Sequence, residues 1–188
     1  ERIYWPTMVR ITQLFAGDYL DEPQITIISP TRDFYESLLP KFRNKLNFHW
    51  ALEALEENSY SSKDDISDET TLSKTLDDAT DDTSAHNQSS IVFLLETDEK
   101  QKFLFTGDAG RDAFNHVPQT LLGKVKDVTW MKVPHHGSKH NLDSTIIKHV
   151  NPEIAYISTE KQGKYLNRST VFALKKNGTK VYSTSQNR

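Results

Sequence analysis

The carboxy-terminal third of the chain alternates strand-like and helix-like segments, and this order limits the possible folds more than any other feature. Short runs rich in β-branched and aromatic residues occupy 127–133, 154–158 and 179–183. Segments with helical character, 143–150 and 170–176, lie between them. A β-α-β-α-β order is typical of domains in which helices pack on a sheet. The sequence therefore predicts a layered α/β fold.

Residues before this region extend the same pattern. Residues 25–29 form a β-branched run, and Thr31 stands where it would cap a following helix. Pro40 is expected to end or kink that helix, because proline lacks the N–H that a helix interior needs. Residues 90–95 predict a buried strand, and residues 102–106 predict its hairpin partner.

Residues 53–86 differ in composition from the rest of the chain. They contain eleven acidic residues and two lysines, and their few apolar residues are isolated in sequence. Such a segment cannot bury enough apolar surface to offset the entropy of ordering it. We expect a mobile acidic insertion within a single domain spanning residues 1–188; the alternative is an acidic docking arm for a basic partner.

Composition excludes several classes of site. The chain has no cysteine, which excludes disulfides, thiolate metal sites and a cysteine nucleophile. Its net charge of −3 provides no overall basic surplus for nucleic acid. No apolar run approaches the roughly 20 residues of a membrane helix. These features favour a cytoplasmic location, and the start at Glu1 rather than Met suggests a fragment of a longer protein.

Two short motifs follow predicted strands directly: 106–110 (TGDAG) and 133–138 (VPHHGS). Ligands bind at the carboxyl ends of strands in layered α/β folds, because loops from neighbouring strands converge there. If the two strands are neighbours, Asp108, His135 and His136 face one site. Carboxylate and imidazole groups are ligands for Zn²⁺, Mn²⁺ or Fe, and a carboxylate can bridge two metals about 3.5–4 Å apart.

Each motif also has a structural alternative. Asp108 can cap a helix beginning at Ala109, and the two histidines can be hydrogen-bonded loop residues. Their occurrence together at strand ends favours the metal site.

Other polar residues nearby are weaker candidates. Substrate contacts are predicted for Asn87, Ser138, His140 and Lys164. Lys132, Lys139 and Lys164 can supply positive charge for an anionic substrate, although each can equally be an ordinary surface lysine. Ser138 has no visible base and acid partner, so we do not predict a serine nucleophile.

These motifs, taken in order, resemble the carboxy-terminal half of metallo-β-lactamase-fold hydrolases. The resemblance is strongest to the subgroup related to the hydrolase domain of the competence DNA-uptake channel. Three segments carry it: 87–92 (NQSSIV), 104–110 (LFTGDAG) and 132–141 (KVPHHGSKHN). Residues 25–42 are similar to the strand and helix that precede them.

The resemblance implies an αββα sandwich with a dinuclear metal site, in which we expect two Zn²⁺ ions, with Mn²⁺ as the alternative. It implies that Asp108 is the bridging aspartate and that His135 or His136 is the late histidine ligand, with His135 favoured because it is nearer the strand end. Asn87 stands near where other branches carry a further histidine, which makes His86 a candidate substitute.

Two departures from the family pattern matter. The main ligand motif, H-x-H-x-D-H, is absent from this chain, and so is the histidine that relatives carry after the strand at 154–158. The chain is then a carboxy-terminal piece, one half of a split protein, or a module that has lost catalysis. The first two explanations require an upstream half of the same fold as partner.

The resulting expectation is a metal-dependent hydrolase in which metal-activated water attacks an ester or phosphodiester, including nucleic acid. The competing expectation is a non-catalytic interaction module on the same fold. A nucleotide-binding domain is disfavoured, because neither common glycine-rich phosphate loop is present.

Overall fold

The computed structural model describes residues 13–43, 75–159 and 166–184. Within these ranges, seven strands form one mixed sheet in which the strand order follows the chain. The strands are β1 (Tyr19–Leu20), β2 (Ile25–Ser29), β3 (Val92–Glu96), β4 (Lys102–Phe105), β5 (Trp130–Lys132), β6 (Ile154–Ile157) and β7 (Lys180–Ser183).

α-Helices and one 3₁₀ turn accompany the described strands, and residues 75–77 are also helical. The helices are α1 (Arg32–Arg43), α2 (Ala85–Gln88), α3 (Arg111–Asn115), α4 (Gln119–Leu122), α5 (Ser144–Val150) and α6 (Arg168–Lys176), and the 3₁₀ turn is Pro134–Gly137.

The sheet has an antiparallel half and a parallel half. β1 to β4 pair antiparallel, whereas β4 to β7 pair parallel, with α5 and α6 in the last two crossovers. The predicted α/β class and the β-α-β-α-β order are therefore confirmed. The second sheet of an αββα sandwich stays a prediction.

Local sequence signals account for several boundaries. Thr31 caps α1 as expected, since its hydroxyl accepts a hydrogen bond from the Phe34 N–H at 3.2 Å. Asp143 caps α5 by accepting from the Ile146 N–H at 2.7 Å. The strand predicted at 127–133 is shorter, because Asp127 has a left-handed backbone (φ 51°) that a strand does not allow.

The prediction that Pro40 ends its helix at that point is wrong, since α1 continues to Arg43, while the alternative that Pro40 kinks the helix stays a prediction. Proline has a φ compatible with a helix and costs mainly the hydrogen bond to the carbonyl four residues earlier. The apolar side of α1 offsets this loss, because Phe34 and Leu38 are buried and Phe42 packs against the core.

One face of the sheet forms the core with the helices. Leu94, Leu104, Met131 and Ala155 alternate along their strands with less buried neighbours and are at most 1% exposed. They pack with residues of α1, α3, α5 and α6 in one apolar cluster.

The opposite face carries a row of ring contacts from β3 to β7. Neighbouring ring centroids lie 4.7 to 6.3 Å apart, and Tyr156 and Tyr182 are 38% and 43% exposed. We call this surface the aromatic face; it consists of Phe93, Phe103, Phe105, Trp130, Tyr156 and Tyr182.

The acidic segment predicted at 53–86 is described only from residue 75 onward, so its mobility over 53–74 lies outside the described residues. The described end packs against the domain: Leu76 is fully buried, and Ser84 and Ala85 are also buried. Thus Leu76, which looks isolated in sequence, belongs to the core. No helix among the described residues has the length and apolarity needed to cross a membrane.

Candidate metal centre

The two candidate motifs follow strands that are parallel neighbours, as the site prediction requires. Leu104 of β4 lies opposite Met131 of β5, so the loops that follow both strands emerge at the same edge. The His135 N–H donates to the Gly107 carbonyl at 3.3 Å, which joins the loops directly. The sheet therefore brings the Asp108 loop and the histidine loop together.

A left-handed turn presents the two imidazoles. His135, His136 and Gly137 have φ values of 42°, 55° and 88°, and the His135 and His136 ring centroids are 6.1 Å apart. Left-handed conformations at non-glycine residues cost on the order of 1–3 kcal/mol each and are found mainly where surrounding contacts impose them. Here those contacts are side-chain hydrogen bonds to both rings.

The His135 ring is held by a polar network. Its Nδ1 lies 3.3 Å from Asp82 Oδ2 and 3.2 Å from Asn141 Oδ1. Asn87 Nδ2 is 3.5 Å from the same ring nitrogen. Sequence reasoning had assigned Asn87 to substrate contact, and the structure places it in this network.

Asp82 accepts several hydrogen bonds at once. Its Oδ2 accepts from Asn87 Nδ2 at 2.8 Å and from Asn141 Nδ2 at 3.0 Å, while its Oδ1 accepts from the Ser84 N–H at 2.8 Å. Burial alone would raise the pKa of the Asp82 carboxyl, but the hydrogen bond from His135 and these three donors lower it from 3.8 to about 2. The carboxylate is therefore firmly ionised at neutral pH.

The pKa of His135 moves in the opposite direction. Burial alone would lower it, but the hydrogen bond and the negative charge of Asp82, the charge of Asp108 and the hydrogen bond with Asn141 raise it above 6.5.

His136 is anchored through a different partner. Its Nδ1 lies 2.6 Å from the Ser158 carbonyl, just beyond the end of β6. Metal-binding histidines characteristically engage one ring nitrogen with a carboxylate or carbonyl and bind metal through the other. Both rings have that arrangement, so a metal at either one would be bound through Nε2.

Asp108 lies at the same edge with a side chain that is 42% exposed. Its N–H donates to Ser90 Oγ at 3.2 Å, and its Oδ1 lies 3.4 Å from Lys132 Nζ. Lys132 Nζ also donates to the Gly107 carbonyl. The loop can approach Ser90 closely because residue 107 is a glycine (φ 55°). A Cβ at this position would lie 2.9 Å from Ser90 Cβ.

The alternative role of Asp108 as a helix cap is not supported. The N-cap of α3 is Gly110, and no side chain makes a cap hydrogen bond there. The Asp108 carboxylate therefore has no capping function.

Donor chemistry fits a metal only in part. Asp108, His135 and His136 supply carboxylate and imidazole donors of the type that zinc prefers, and both rings are oriented by partners at Nδ1. The described residues nevertheless contain no group of three or more histidine, aspartate or glutamate side chains that could hold a metal ion. A complete centre thus needs donors from elsewhere.

The remaining candidates are placed as follows. His140 Nδ1 lies 2.7 Å from the Thr80 carbonyl, and its N–H donates to Ser138 Oγ at 3.2 Å. Ser138 is 6% exposed. His86 is exposed and packs edge-on against Phe42. Lys164 lies outside the described residues.

Sequence reasoning missed Asp82 and Arg111. Asp82 lies in the acidic segment, where its charge looks like one of many. Arg111 is 6% exposed and donates to the carbonyls of Leu76 and Lys139 at 2.7 and 3.0 Å, which binds the acidic segment to the histidine loop. The nearest sequence signal is an arginine directly after the TGDAG motif, where a helix starts.

Comparison with known proteins gives a partial likeness. ComE operon protein 3 of Bacillus subtilis (strain 168) is 30% identical to the chain over 108 residues, which are 56% of this chain and 14% of the relative. The chain thus spans a small part of the length of the curated relative that it matches. No protein-family model matches the chain, and no solved structure matches it. The likeness supports the resemblance to the competence-channel subgroup and, at most, a metallo-β-lactamase-like family.

Proposed function

We propose that this chain is the carboxy-terminal half of a metal-dependent hydrolase of the metallo-β-lactamase superfamily. The observation that carries the proposal is the pair of imidazoles after β5, each engaged through Nδ1, on a loop hydrogen-bonded to the loop that carries Asp108. Metal-binding histidines characteristically have one ring nitrogen anchored in this way, and here two successive histidines have it on the loop next to that of Asp108.

Each site residue has a role in the proposed centre. Asp108 and one or both histidines would hold two Zn²⁺ ions together with donors from outside the described residues, with Mn²⁺ as the alternative metal. When bound, such ions lower the pKa of coordinated water and provide hydroxide near neutral pH. Lys132 adds positive charge at the edge of the site for an anionic ester or phosphodiester, with nucleic acid as one substrate class.

The aromatic face supports an upstream half of the same fold as the missing partner. All-parallel sheets are covered on both faces almost without exception, and this sheet is parallel from β4 to β7. In the parallel part of this sheet, the described helices pack on one face, while Tyr156 and Tyr182 on the other are 38% and 43% exposed. A layer that covers this face can also bring the missing metal donors to the adjoining edge.

Metal content tests the proposed function. The natural gene product that contains this chain is purified, loaded with Zn²⁺ or Mn²⁺, and assayed for bound metal and phosphodiester hydrolysis. We expect the gene product to bind metal stoichiometrically. Asp108→Asn should lower its affinity for the metal at least tenfold. The matched control is Asp98→Asn, an exposed aspartate at the β3–β4 turn, which should leave metal binding unchanged.

Two results would overturn the proposal. One is a folded gene product that binds neither metal. The other is metal binding that Asp108→Asn and Asp98→Asn affect equally.

A non-catalytic interaction module is the second candidate function. The absence of a three-donor group among the described residues favours it. In that case the gene product would bind no metal, yet the aromatic face would still be covered by a partner layer. The solvent accessibility of Tyr182 in a metal-free gene product tests this function. A protected Tyr182 indicates a partner layer, whereas an accessible Tyr182 indicates a domain without one.

A further inference from the structure

Resting on the proposed function, we propose that Asp82 is the positioning residue of this centre. Its carboxylate accepts a hydrogen bond from the Nδ1–H of His135 and thereby fixes both the orientation of the ring and the tautomer with its lone pair on Nε2. Asp82 does not contact the proposed metal; it acts through the imidazole.

The surroundings of His135 Nδ1 determine the proton's position. Two acceptor oxygens lie beside this nitrogen, Asp82 Oδ2 at 3.3 Å and Asn141 Oδ1 at 3.2 Å. The Asn141 amide is oriented independently, because its Nδ2 donates to Asp82 Oδ2 and to the Asp108 carbonyl. Its oxygen must then face the ring, and a ring nitrogen between two acceptors carries the proton.

Asn87 does not oppose this assignment. Its Nδ2 lies 3.5 Å from His135 Nδ1 but 2.8 Å from Asp82 Oδ2, so its better hydrogen bond goes to the carboxylate. Asn87 therefore helps to orient Asp82. It does not donate to His135 Nδ1 in a way that would favour an unprotonated Nδ1.

The backbone around Asp82 is fixed well enough for a positioning role. The Asp82 N–H donates to the His140 carbonyl at 3.1 Å, and its carbonyl accepts from the side chain of Gln88, which is 2% exposed. Arg111 holds the same segment from behind, with a salt bridge to Asp81 at 3.0 Å. The carboxylate itself is held by Asn87, Asn141 and the Ser84 N–H, so it cannot leave His135 without breaking those hydrogen bonds.

The tautomer links Asp82 to the proposed chemistry. A neutral imidazole has one protonated nitrogen and one acceptor nitrogen, and a metal binds the acceptor. With the proton held on Nδ1, Nε2 is the acceptor. Removal of the carboxylate should redistribute the proton between the two nitrogens even in metal-free protein.

Nitrogen-15 NMR of the His135 ring tests the inference directly. The full chain is studied without metal at a pH where the ring is neutral, and His135→Gln assigns the signal. We expect a protonated Nδ1 and an unprotonated Nε2. Asp82→Ala should lower the ratio of the Nδ1–H to the Nε2–H form at least roughly tenfold, because a hydrogen bond to a charged group is lost.

Two further variants complete the test. Asp82→Asn keeps the shape but not the charge, and should give an intermediate ratio. Asp78→Asn alters an exposed aspartate in the same segment and should leave the ratio unchanged.

The inference is overturned if the wild-type ring carries its proton on Nε2, or if folded Asp82→Ala retains the wild-type ratio. The wild-type spectrum decides even if the alanine variant does not fold. Because no metal is present, a ring protonated on Nδ1 together with a metal-free gene product would refute the proposed function and leave standing only that Asp82 fixes the tautomer of His135.

Discussion

The guanidinium of Arg111 donates to the carbonyl of Leu142 at 3.1 Å, and this contact links α3 to the loop that follows the histidine motif. The same side chain also donates to backbone carbonyls of the acidic segment. Arg111 thus connects three parts of the chain that are far apart in sequence, and it lies behind the site rather than in it.

Arg111→Met should lower the free energy of unfolding by about 3 kcal/mol or more. The methionine fills the space but leaves several carbonyls without a donor, and each buried unsatisfied group costs roughly 1–3 kcal/mol. Arg32→Met is the matched control; Arg32 is exposed and lies over the Phe15 ring, so its loss should cost less than about 1 kcal/mol. Urea denaturation measures the free energy of unfolding of both variants. Equal losses would contradict the role of Arg111.

Gly110→Ala should destabilise the chain by about 1–3 kcal/mol through a clash at the centre of the network. An added Cβ would lie 2.1 Å from Gln88 Nε2, and Gln88 is buried and hydrogen-bonded to Ala113 N at 2.9 Å. Gly123→Ala provides the control, since nothing lies within 4 Å of its Cβ and its backbone is right-handed helical. Thermal unfolding of the two variants compares them. A Gly110→Ala variant as stable as Gly123→Ala would contradict the packing described.

The Asp82–His135 pair should give stability with an optimum in mildly acidic solution. The pKa of Asp82 is lowered in the fold from 3.8 to about 2, so its contribution is present above pH 3.8 and is lost as pH falls toward 2. The pKa of His135 is raised above 6.5, so its contribution is present below pH 6.5 and is lost as pH rises through the folded value.

Urea unfolding between pH 2 and pH 9 checks this profile against Asp82→Asn. The acid-side contribution of Asp82 is about 2 kcal/mol for a shift of this size. The variant should lose the dependence on both sides. A wild-type profile retained in Asp82→Asn would show that other groups produce it.

A charge on the aromatic face should destabilise the natural gene product if another layer covers that face. Tyr182→Lys would bury an ammonium group there, with an expected loss of about 1–3 kcal/mol. Tyr19→Lys on β1 is the control, because Tyr19 is 51% exposed and lies away from the aromatic face. Denaturant unfolding of the gene product compares the two. Similar small effects would indicate that the aromatic face stays in water.

Local patterns made much of the fold predictable. Apolar runs located β2, β3, β4 and β6 within a residue or two, and the two motifs pointed to adjacent strand ends because parallel strands must place their following loops on one edge. The αL geometry of His135 and His136 was not predictable, since contacts from Asp82 and Ser158 impose it.

Asp82 illustrates what a sequence conceals. In an acidic segment each carboxylate looks solvated, and only the packing of Leu76 and the hydrogen bonds of Arg111 single this one out. Pro40 shows the opposite case. Its local preference is to end the helix, but the packing of α1 on the core keeps the helix intact as far as Arg43.

The location of bound metal tests the central claim most directly. A crystal of the natural gene product soaked in Zn²⁺ and measured at the zinc absorption edge gives that location from anomalous scattering. The proposed function predicts zinc about 2.0–2.2 Å from a carboxylate oxygen of Asp108 and from Nε2 of His135 or His136. Zinc bound elsewhere, with Asp108 still paired to Lys132 and both rings without metal, would contradict it.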